Sequence, residues 1–327
     1  MDFLIDILMP VYNHEPYLED ALNGIVSQKT DFKFRLLVGE DCSKDHSREI
    51  ILKYQQKHPA IIFPYYRKVN IGAHENSKLL FKEVKSKYIA ICEGDDYWLD
   101  TLKLQKQVGF LEANREYAIS FHNVFEETNG KKILSNANLL KETTFTIKEL
   151  AKGNFIHTPS VVYRTGLIEQ LPNWYSDAPA ADYVMLMLNA RKGLIKYFPE
   201  PMAVYRNHAQ GIWNSQKYEY LLLNTIKTID LLINEFDGNV KEILIKQNAG
   251  YYNSLAKIAY SERDVEKAKR YLENAFFLDD SLKEEWLVNY YPTLISRLFN
   301  SRRYKAAERV FNFINRVSFA GRRKKKQ

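Results

Sequence analysis

Tyr88-Ile-Ala-Ile-Cys-Glu-Gly-Asp-Asp-Tyr-Trp98 is an apolar run that ends on three acids, Glu93, Asp95 and Asp96. The run lacks polar alternation, the pattern of a strand covered on both faces. Three comparable runs precede it: Leu4 to Val11, Phe34 to Val38 and Ile61 to Tyr66. Between them lie helical patterns, Pro16 to Gln28, Ser47 to His58 and Asn76 to Lys87. In the second, Ile50, Ile51 and Tyr54 share one face while Lys53, Gln56 and Lys57 lie opposite. Strand alternating with helix predicts an α/β fold whose sheet is mostly parallel, joined by right-handed crossovers.

In such a sheet, ligands bind beyond the carboxyl ends of the strands. The segments that follow the four runs are Tyr12-Asn13, Glu40-Asp41-Cys42-Ser43, Lys68-Val69-Asn70 and Glu93-Gly94-Asp95-Asp96. Each brings polar groups to one edge. In an extended segment, residues two apart project to the same side, so Glu93 and Asp95 converge. Facing carboxylates repel unless one takes a proton or a cation joins them. Hard oxygen ligands suit Mg²⁺ or Mn²⁺, ions commonly shared between carboxylates and substrate phosphates. Other nucleotide sites are excluded, because neither GxxxxGK[ST] nor GxGxxG is present. The stretch Asp41 to Asp45 fails as a calcium loop, with His46 where Gly is required and Leu52 where Glu is required.

Residues 106 to 213 are mixed. Gln107 to Glu116 and Tyr183 to Arg191 read as helices; Ala118 to Glu126 and Ser160 to Tyr163 read as extended. Lys131 to Thr143 is polar and loop-like. Thr146 and Glu149 stand in the spacing of a capping box for a short helix ending at Lys152. Leu194 to Tyr205 is extended, with interruptions at Pro199 and Pro201. From Gln216 onward the pattern is helical. Tyr252, Leu255, Ala256, Ala259, Ala268, Leu272 and Ala275 fit a tetratricopeptide helix pair, and Tyr291, Leu294, Leu298, Ala307, Phe311 and Ile314 repeat it. A generic helical bundle is the other reading.

The composition, 46% hydrophobic and 27% charged, is that of a globular protein. Two cysteines, Cys42 and Cys92, exclude a disulfide framework and a four-cysteine zinc site. The most apolar helical stretch, Tyr220 to Ile233, is interrupted by Asn224, Lys227 and Asp230, so no membrane span is expected. Asp2 stands where a signal peptide needs a basic residue, and a cytoplasmic protein is expected. Of the net charge of +7, residues 296 to 327 hold eleven Lys or Arg against the single acid Glu308, which leaves the preceding chain at −3. The basic end, Gly321 to Gln327, suits an anionic membrane surface at the inner face of the plasma membrane or a solvated tail, rather than nucleic acid.

Taken in order, Met9-Pro-Val-Tyr-Asn13, Glu40-Asp-Cys-Ser-Lys-Asp45, Asn70-Ile-Gly-Ala-His-Glu-Asn76, Glu93-Gly-Asp-Asp-Tyr-Trp98, His157-Thr-Pro-Ser160, Ala181-Asp182, Tyr205-Arg-Asn-His208 and Gly211-Ile-Trp213 resemble glycosyltransferase family 2, the inverting GT-A enzymes. The likeness covers about residues 3 to 214. The family's first acid in each acidic motif is usually Asp, whereas this chain has Glu40 and Glu93; the family's Glu-Asp pair reads Ala181-Asp182.

The resemblance implies a role for each matched residue. Asp41 receives a hydrogen bond from the base edge, usually uracil, and Pro10, Tyr12 and Glu40 line base and ribose. Asn70 supports the nucleotide loop. Glu93, one methylene longer than the usual Asp, faces the ribose or acts through water, Asp95 binds the metal, Mn²⁺ or Mg²⁺, and Asp96 lies beside the donor sugar or just outside the metal's ligands. Asp182 is the general base. His208 completes the metal site or touches phosphate, and His157 and Trp213 meet the acceptor. The expected domains are a GT-A transferase over 1–214, with a donor half over 1–105 and an acceptor half over 106–214, and a helical extension over 215–327. The expected reaction moves a sugar from a UDP-sugar to a glycan or lipid-linked saccharide in bacterial surface polysaccharide synthesis. The rivals are a nucleotidyltransferase and a non-catalytic helical scaffold with a decayed transferase domain. Asp182 also has a plain reading, as the N-cap of the helix that follows it.

Overall fold

The structure is a computed structural model that describes residues 3–208, 211 and 217–289. Trp213, the second repeat-like segment over 291–314 and the basic end over 321–327 lie outside the described residues. By internal contacts the chain divides into two compact units, residues 1–247 and 248–327.

The first unit opens as β1 (Ile5–Val11), α1 (Leu18–Val26), β2 (Phe34–Glu40), α2 (Ser47–Lys57), β3 (Ile62–Tyr66), α3 (Ala73–Lys82) and β4 (Tyr88–Ile91). It continues through β5 (Tyr97–Trp98), α4 (Lys103–Ala113), β6 (Tyr117–Thr128), β7 (Lys131–Leu134), β8 (Thr143–Phe145), α5 (Ile147–Leu150), β9 (Val162–Arg164), α6 (Ala181–Ala190), β10 (Leu194–Asn207) and α7 (Tyr218–Glu235). The strands form one sheet in the order β3-β2-β1-β4-β9-β6-β10-β5, with β7 on β6 and β8 on β10. Strands β1 to β4 are mutually parallel, with Ile5 opposite both Phe34 and Tyr88. Strand β9 runs antiparallel between β4 and β6, and β10 lies parallel to β6. The fold is therefore a mixed α/β sheet in which β1 to β4, β6 and β10 run one way and β5, β7, β8 and β9 pair antiparallel with them.

Burial explains these elements. β1 is buried on both faces through Ile5, Ile7, Leu8, Met9 and Val11. Helix α1 buries Leu18, Ala21, Leu22 and Ile25, the i, i+3, i+4, i+7 spacing of an apolar stripe. At the amino end of the sheet the carboxylate of Asp6 is fully buried and accepts from Arg35 Nε and Nη2 at 2.6 and 3.0 Å, Ser86 Oγ at 2.6 Å and the Lys85 amide at 2.9 Å. That network ends α3 early: the helix stops at Lys82 rather than Lys87, because the amides of Lys85 and Ser86 turn toward Asp6.

Two other expectations are corrected. Lys131 to Thr143 is not a plain loop: β7 pairs antiparallel with β6, Thr128 opposite Lys131. The connection is Asn129-Gly130, both at positive φ (51° and 76°), the two-residue turn that Asn-Gly specifies. Ser160 is not extended; residues 158–160 form a 3₁₀ turn with Pro159 near its start, and the strand begins at Val162. The interruption at Pro199 and Pro201 takes the form of register shifts on either side of Pro201. The capping box forms, with Thr146 and Glu149 reciprocally bonded.

Helix α7 lies against α6 within the first unit: the Ala180 amide donates to Thr228 Oγ1 at 3.1 Å, and Arg191 pairs with Glu235 at 3.1 Å. Helix α8 (Gly238–Ser261) crosses from the first stretch of sequence into the second. Within the second unit, α8 leads through a tight turn at Arg263 (φ 65°) to α9 (Val265–Leu278) and α10 (Leu282–Asn289). Leu255, Ala256, Ala259, Ala268 and Ala275 are buried, and the rings of Tyr252 and Tyr271 approach to 6.5 Å. Among the described residues no helix is long and apolar enough to cross a membrane.

Candidate active site at the carboxyl edge of the sheet

The loops after β1 and β2 are stitched together. The amides of Asn13, His14 and Glu15 donate to Ser43 Oγ, Ser47 Oγ and Asp45 Oδ2 at 3.0, 3.0 and 2.9 Å. In return the amides of Lys44 and His46 donate to Asn13 Oδ1 and Glu15 Oε2 at 2.8 and 3.0 Å. Asn13 and Cys42 hold positive φ, 56° and 57°, a conformation Asn adopts at low cost. Glu40 is fully buried; its carboxylate pairs with Arg48 and accepts the Ser43 amide at 2.6 Å. Asp41, 1% exposed, accepts the amides of Ile71 and Gly72 at 2.9 and 2.8 Å. Asn70 Oδ1 accepts the same Gly72 amide at 3.0 Å. These residues fix the loops bordering the edge. Tyr12 is partly exposed there, and the carbonyl of Pro10 accepts the Gly94 amide at 3.2 Å.

After β4 the chain turns so that ligand atoms of Glu93, Asp95 and Asp96 lie within 4.8 Å of one another. Asp95 Oδ2 is 3.0 Å from His208 Nε2 and 3.8 Å from His14 Nε2. Asp96, 1% exposed, accepts the Arg206 amide on Oδ1 at 2.8 Å. Asp95 Oδ1, Asp96 Oδ2, and Nδ1 of both His14 and His208 are buried without a protein partner. Arg206 braces the loop, donating from Nη1 to the Asp95 carbonyl at 3.1 Å and lying 4.2 Å over the Tyr97 ring. Trp98 anchors the far end, its Nε1 donating to the Pro159 carbonyl at 2.9 Å.

The charges are strongly perturbed. Burial, then the charges of Asp95 and Asp182, push the Glu93 carboxyl up to about 8. Burial, then Asp95 and Glu93, raise Asp96 well above the carboxylate range. Burial opposes ionisation of Asp95 too, but the His208 hydrogen bond and His14 outweigh it and its pKa falls. His14 is held low by burial despite Asp95. Asp182 is raised by burial, against hydrogen bonds from backbone amides. Helix α6 starts at Ala181 with Ala180 at the N-cap position, so Asp182 sits in the first turn and is not the cap. Burial raises the phenols of Tyr163, Tyr175 and Tyr205; Tyr175 adds to this at Tyr163, Asp96, Glu93 and Asp95 add at Tyr205, and Asp182 makes a smaller contribution at all three. His157 bonds Ser135 Oγ at 2.8 Å and lies 3.4 Å from Glu126, its ring 5.1 Å from that of Tyr205.

An oxygen-rich cluster with two bare buried carboxylate oxygens, mutual repulsion and two adjacent imidazoles fits a divalent cation. Sequence reasoning brought Glu93, Asp95, Asp96 and His208 to this place. It gave no role to His14, Tyr163 or Tyr175, and it read Tyr205 and Arg206 only as part of the segment ending at His208. His14 directly follows Tyr12-Asn13 at the end of the first strand run, and that position was its only signal.

The model described as Glycosyl transferase family 2 matches residues 6–171. An uncharacterized protein of Mycobacterium tuberculosis, Rv1520, is 39% identical over 211 residues, 62% of this chain and 59% of that protein. The match thus spans about three fifths of that relative's length. The putative teichuronic acid biosynthesis glycosyltransferase TuaG of Bacillus subtilis is 25% identical over 237 residues, 70% of this chain and 90% of its own. The crystal structure of Staphylococcus aureus TarS 1–349 in complex with UDP-GlcNAc superposes with a TM-score of 0.59 at 17% identity, covering 86% of this chain and 92% of that one. That likeness concerns the fold.

Proposed function

The chain belongs to glycosyl transferase family 2, and on that premise we propose that it moves one sugar from a UDP-activated donor to a hydroxyl of a glycan or lipid-linked saccharide, with inversion. The observation that carries the reading is geometric: ligand atoms of Glu93, Asp95 and Asp96 lie within 4.8 Å of one another beside His208, and two of the carboxylate oxygens are buried without a protein partner. The charge of Asp182, at the start of α6, adds to burial and Asp95 in raising the Glu93 carboxyl. TarS was crystallised with UDP-GlcNAc and TuaG is named for teichuronic acid biosynthesis, which supports a UDP donor and a role in surface polysaccharide.

In this reaction the acceptor oxygen bonds to the anomeric carbon as the bond from that carbon to the diphosphate oxygen breaks. The electron pair of the broken bond leaves with the nucleoside diphosphate, and the acceptor proton passes to Asp182. Burial raises the proton affinity of Asp182 toward that of an effective base, and a positioned base contributes typically about 10²–10⁴-fold. Asp95 and His208 hold the divalent cation, with Asp96 beside it; bound Mn²⁺ or Mg²⁺ supplies Lewis-acid stabilisation of the leaving diphosphate. Glu93 faces the ribose. Pro10, Tyr12, Glu40, Asp41 and Asn70 shape the nucleotide side, Asp41 meeting the base with the lone pairs its loop amides leave. His157 and Trp213 contact the acceptor.

We assign the donor half to residues 1–105, the acceptor half to 106–214 and the helical extension to 215–327. The protein works in the cytoplasm at an anionic membrane surface, drawn there by its basic end; removal of residues 321–327 weakens salt-sensitive sedimentation with anionic vesicles, and unchanged sedimentation removes the membrane reading. The activity is tested with a panel of nucleotide sugars and Mn²⁺, following nucleoside diphosphate release with and without glycan acceptors. Acceptor-stimulated release of UDP supports the reading. Pyrophosphate release indicates a nucleotidyltransferase, and absence of nucleotide binding favours the scaffold.

A further inference from the structure

We infer that His14 is a second nitrogen ligand of the cation held at Asp95, so that two imidazoles join the acidic cluster in holding it. The inference rests on the metal site proposed above and extends it to a residue of the β1 loop. His14 Nε2 and His208 Nε2 address the same oxygen, Asp95 Oδ2, at 3.8 and 3.0 Å. The longer distance is too great for a hydrogen bond, so hydrogen bonding to Asp95 does not explain where the ring sits. Two atoms each about 2.1 Å from a shared ion lie about 3.0–3.5 Å apart; His208 meets that spacing and His14 needs a shift of a few tenths of an ångström.

The ring is built in place. The His14 amide is clamped by Ser47 Oγ at 3.0 Å. A Cβ on Gly94 would fall 2.6 Å from His14 Nδ1, 3.0 Å from Val11 Cγ2 and 3.3 Å from Leu18 Cδ1. Glycine at 94 thus leaves room for the imidazole between the acidic loop and the core. The second ring has its own support, lying against Tyr17 with centroids 4.6 Å apart and planes tilted by 37°. Asp96, 99% buried, adds an unpartnered oxygen, Oδ2, to the same cluster.

Two imidazoles change which ion the site prefers. Carboxylate and water suit Mg²⁺, whereas imidazole favours later divalent ions. Two imidazoles added to the carboxylates shift the preference of the site from Mg²⁺ toward Mn²⁺. The test is Mn²⁺ binding to the full chain, read by the loss of the free-ion electron spin resonance signal, with Mg²⁺ as competitor. His14→Gln is expected to weaken Mn²⁺ binding by about tenfold or more and to shrink the Mn²⁺ preference over Mg²⁺. Pulsed spin resonance of the unaltered protein is expected to show two nitrogen couplings to bound Mn²⁺, a readout that does not depend on the folding of a variant. A single nitrogen coupling, or a folded His14→Gln protein with unchanged affinity and preference, overturns the assignment. Asp95→Asn separates this outcome from failure of the site itself: if it binds Mn²⁺ as the unaltered protein does, the metal reading falls, and His14 with it.

Discussion

The backbone amide of Arg206 donates to Asp96 Oδ1 at 2.8 Å, joining residues 110 positions apart in sequence. Strand β10 therefore holds the acidic loop that follows β4, and the Arg206 side chain adds a bond to the Asp95 carbonyl and a stacking contact on Tyr97. Arg206→Met keeps the amide and removes the side-chain brace. We expect about 1–3 kcal/mol of lost stability and about tenfold weaker Mn²⁺ binding. Denaturant unfolding and Mn²⁺ titration of the same variant check both.

Gly94→Ala places a methyl 2.6 Å from the His14 ring and 3.0 Å from Val11. The ring cannot yield freely, because its backbone is stitched to the β2 loop. Overpacking of this kind costs about 1–3 kcal/mol. The expected result is a folded protein of reduced stability and impaired Mn²⁺ binding; unchanged values for both refute the close packing.

How far the sequence revealed this arrangement depends on the kind of information involved. Apolar runs and helical periodicity are local, so β1 to β4 and α1 to α3 are legible, as is the capping box at Thr146. The acidic loop was found because the strand before it announces a sheet edge. Antiparallel β9 was read only as extended, since a three-residue strand carries no sign of its neighbours. The hairpin at Asn129-Gly130 had a clear turn signal that the polar composition of 131–143 obscured. His14 and Arg206 act through contacts with Asp95 and Asp96 that only folding creates. Glu40 and Asp41 carry the motif, yet their oxygens also hold loops, a use that spacing alone does not disclose.

The Asp6–Arg35 pair is expected to contribute to acid stability. Burial raises the Asp6 pKa, but bonds from Arg35, Ser86 and Lys85 outweigh it and the net shift is downward. A carboxyl lowered on folding stabilises fully above its unfolded value, about 3.9, and that contribution is lost as pH falls through the lower folded value. Asp6→Asn leaves the Arg35 cation without its anion and is expected to cost about 3–5 kcal/mol at neutral pH. Its stability should also fall less steeply than that of the unaltered protein below about pH 4. Urea unfolding across pH measures both.

Lys103 is fully buried, 2.8 Å from Gln107 Oε1 and 4.1 Å from the Trp98 ring centroid. Burial brings its pKa down to about 7. The unfolded chain keeps that proton to about pH 10.4, so between these values the unfolded state binds more protons and stability rises with pH. The Trp98 face favours the cation by about 2 kcal/mol, which narrows the window without closing it. Lys103→Met removes this rise, and urea midpoints measured from pH 7 to pH 10 should become flat. A rise that persists in the variant assigns it to another group.

The central claim is that Asp182 accepts the acceptor proton while Asp95 holds the metal-bound donor. The most direct measurement compares UDP binding in Mn²⁺ with steady-state turnover for Asp182→Asn and Asp95→Asn. The account predicts that Asp182→Asn binds UDP nearly as tightly as the unaltered protein while kcat drops about 10²–10⁴-fold, and that Asp95→Asn loses Mn²⁺-dependent UDP binding. Collapse of UDP affinity in Asp182→Asn with turnover per bound donor preserved contradicts it.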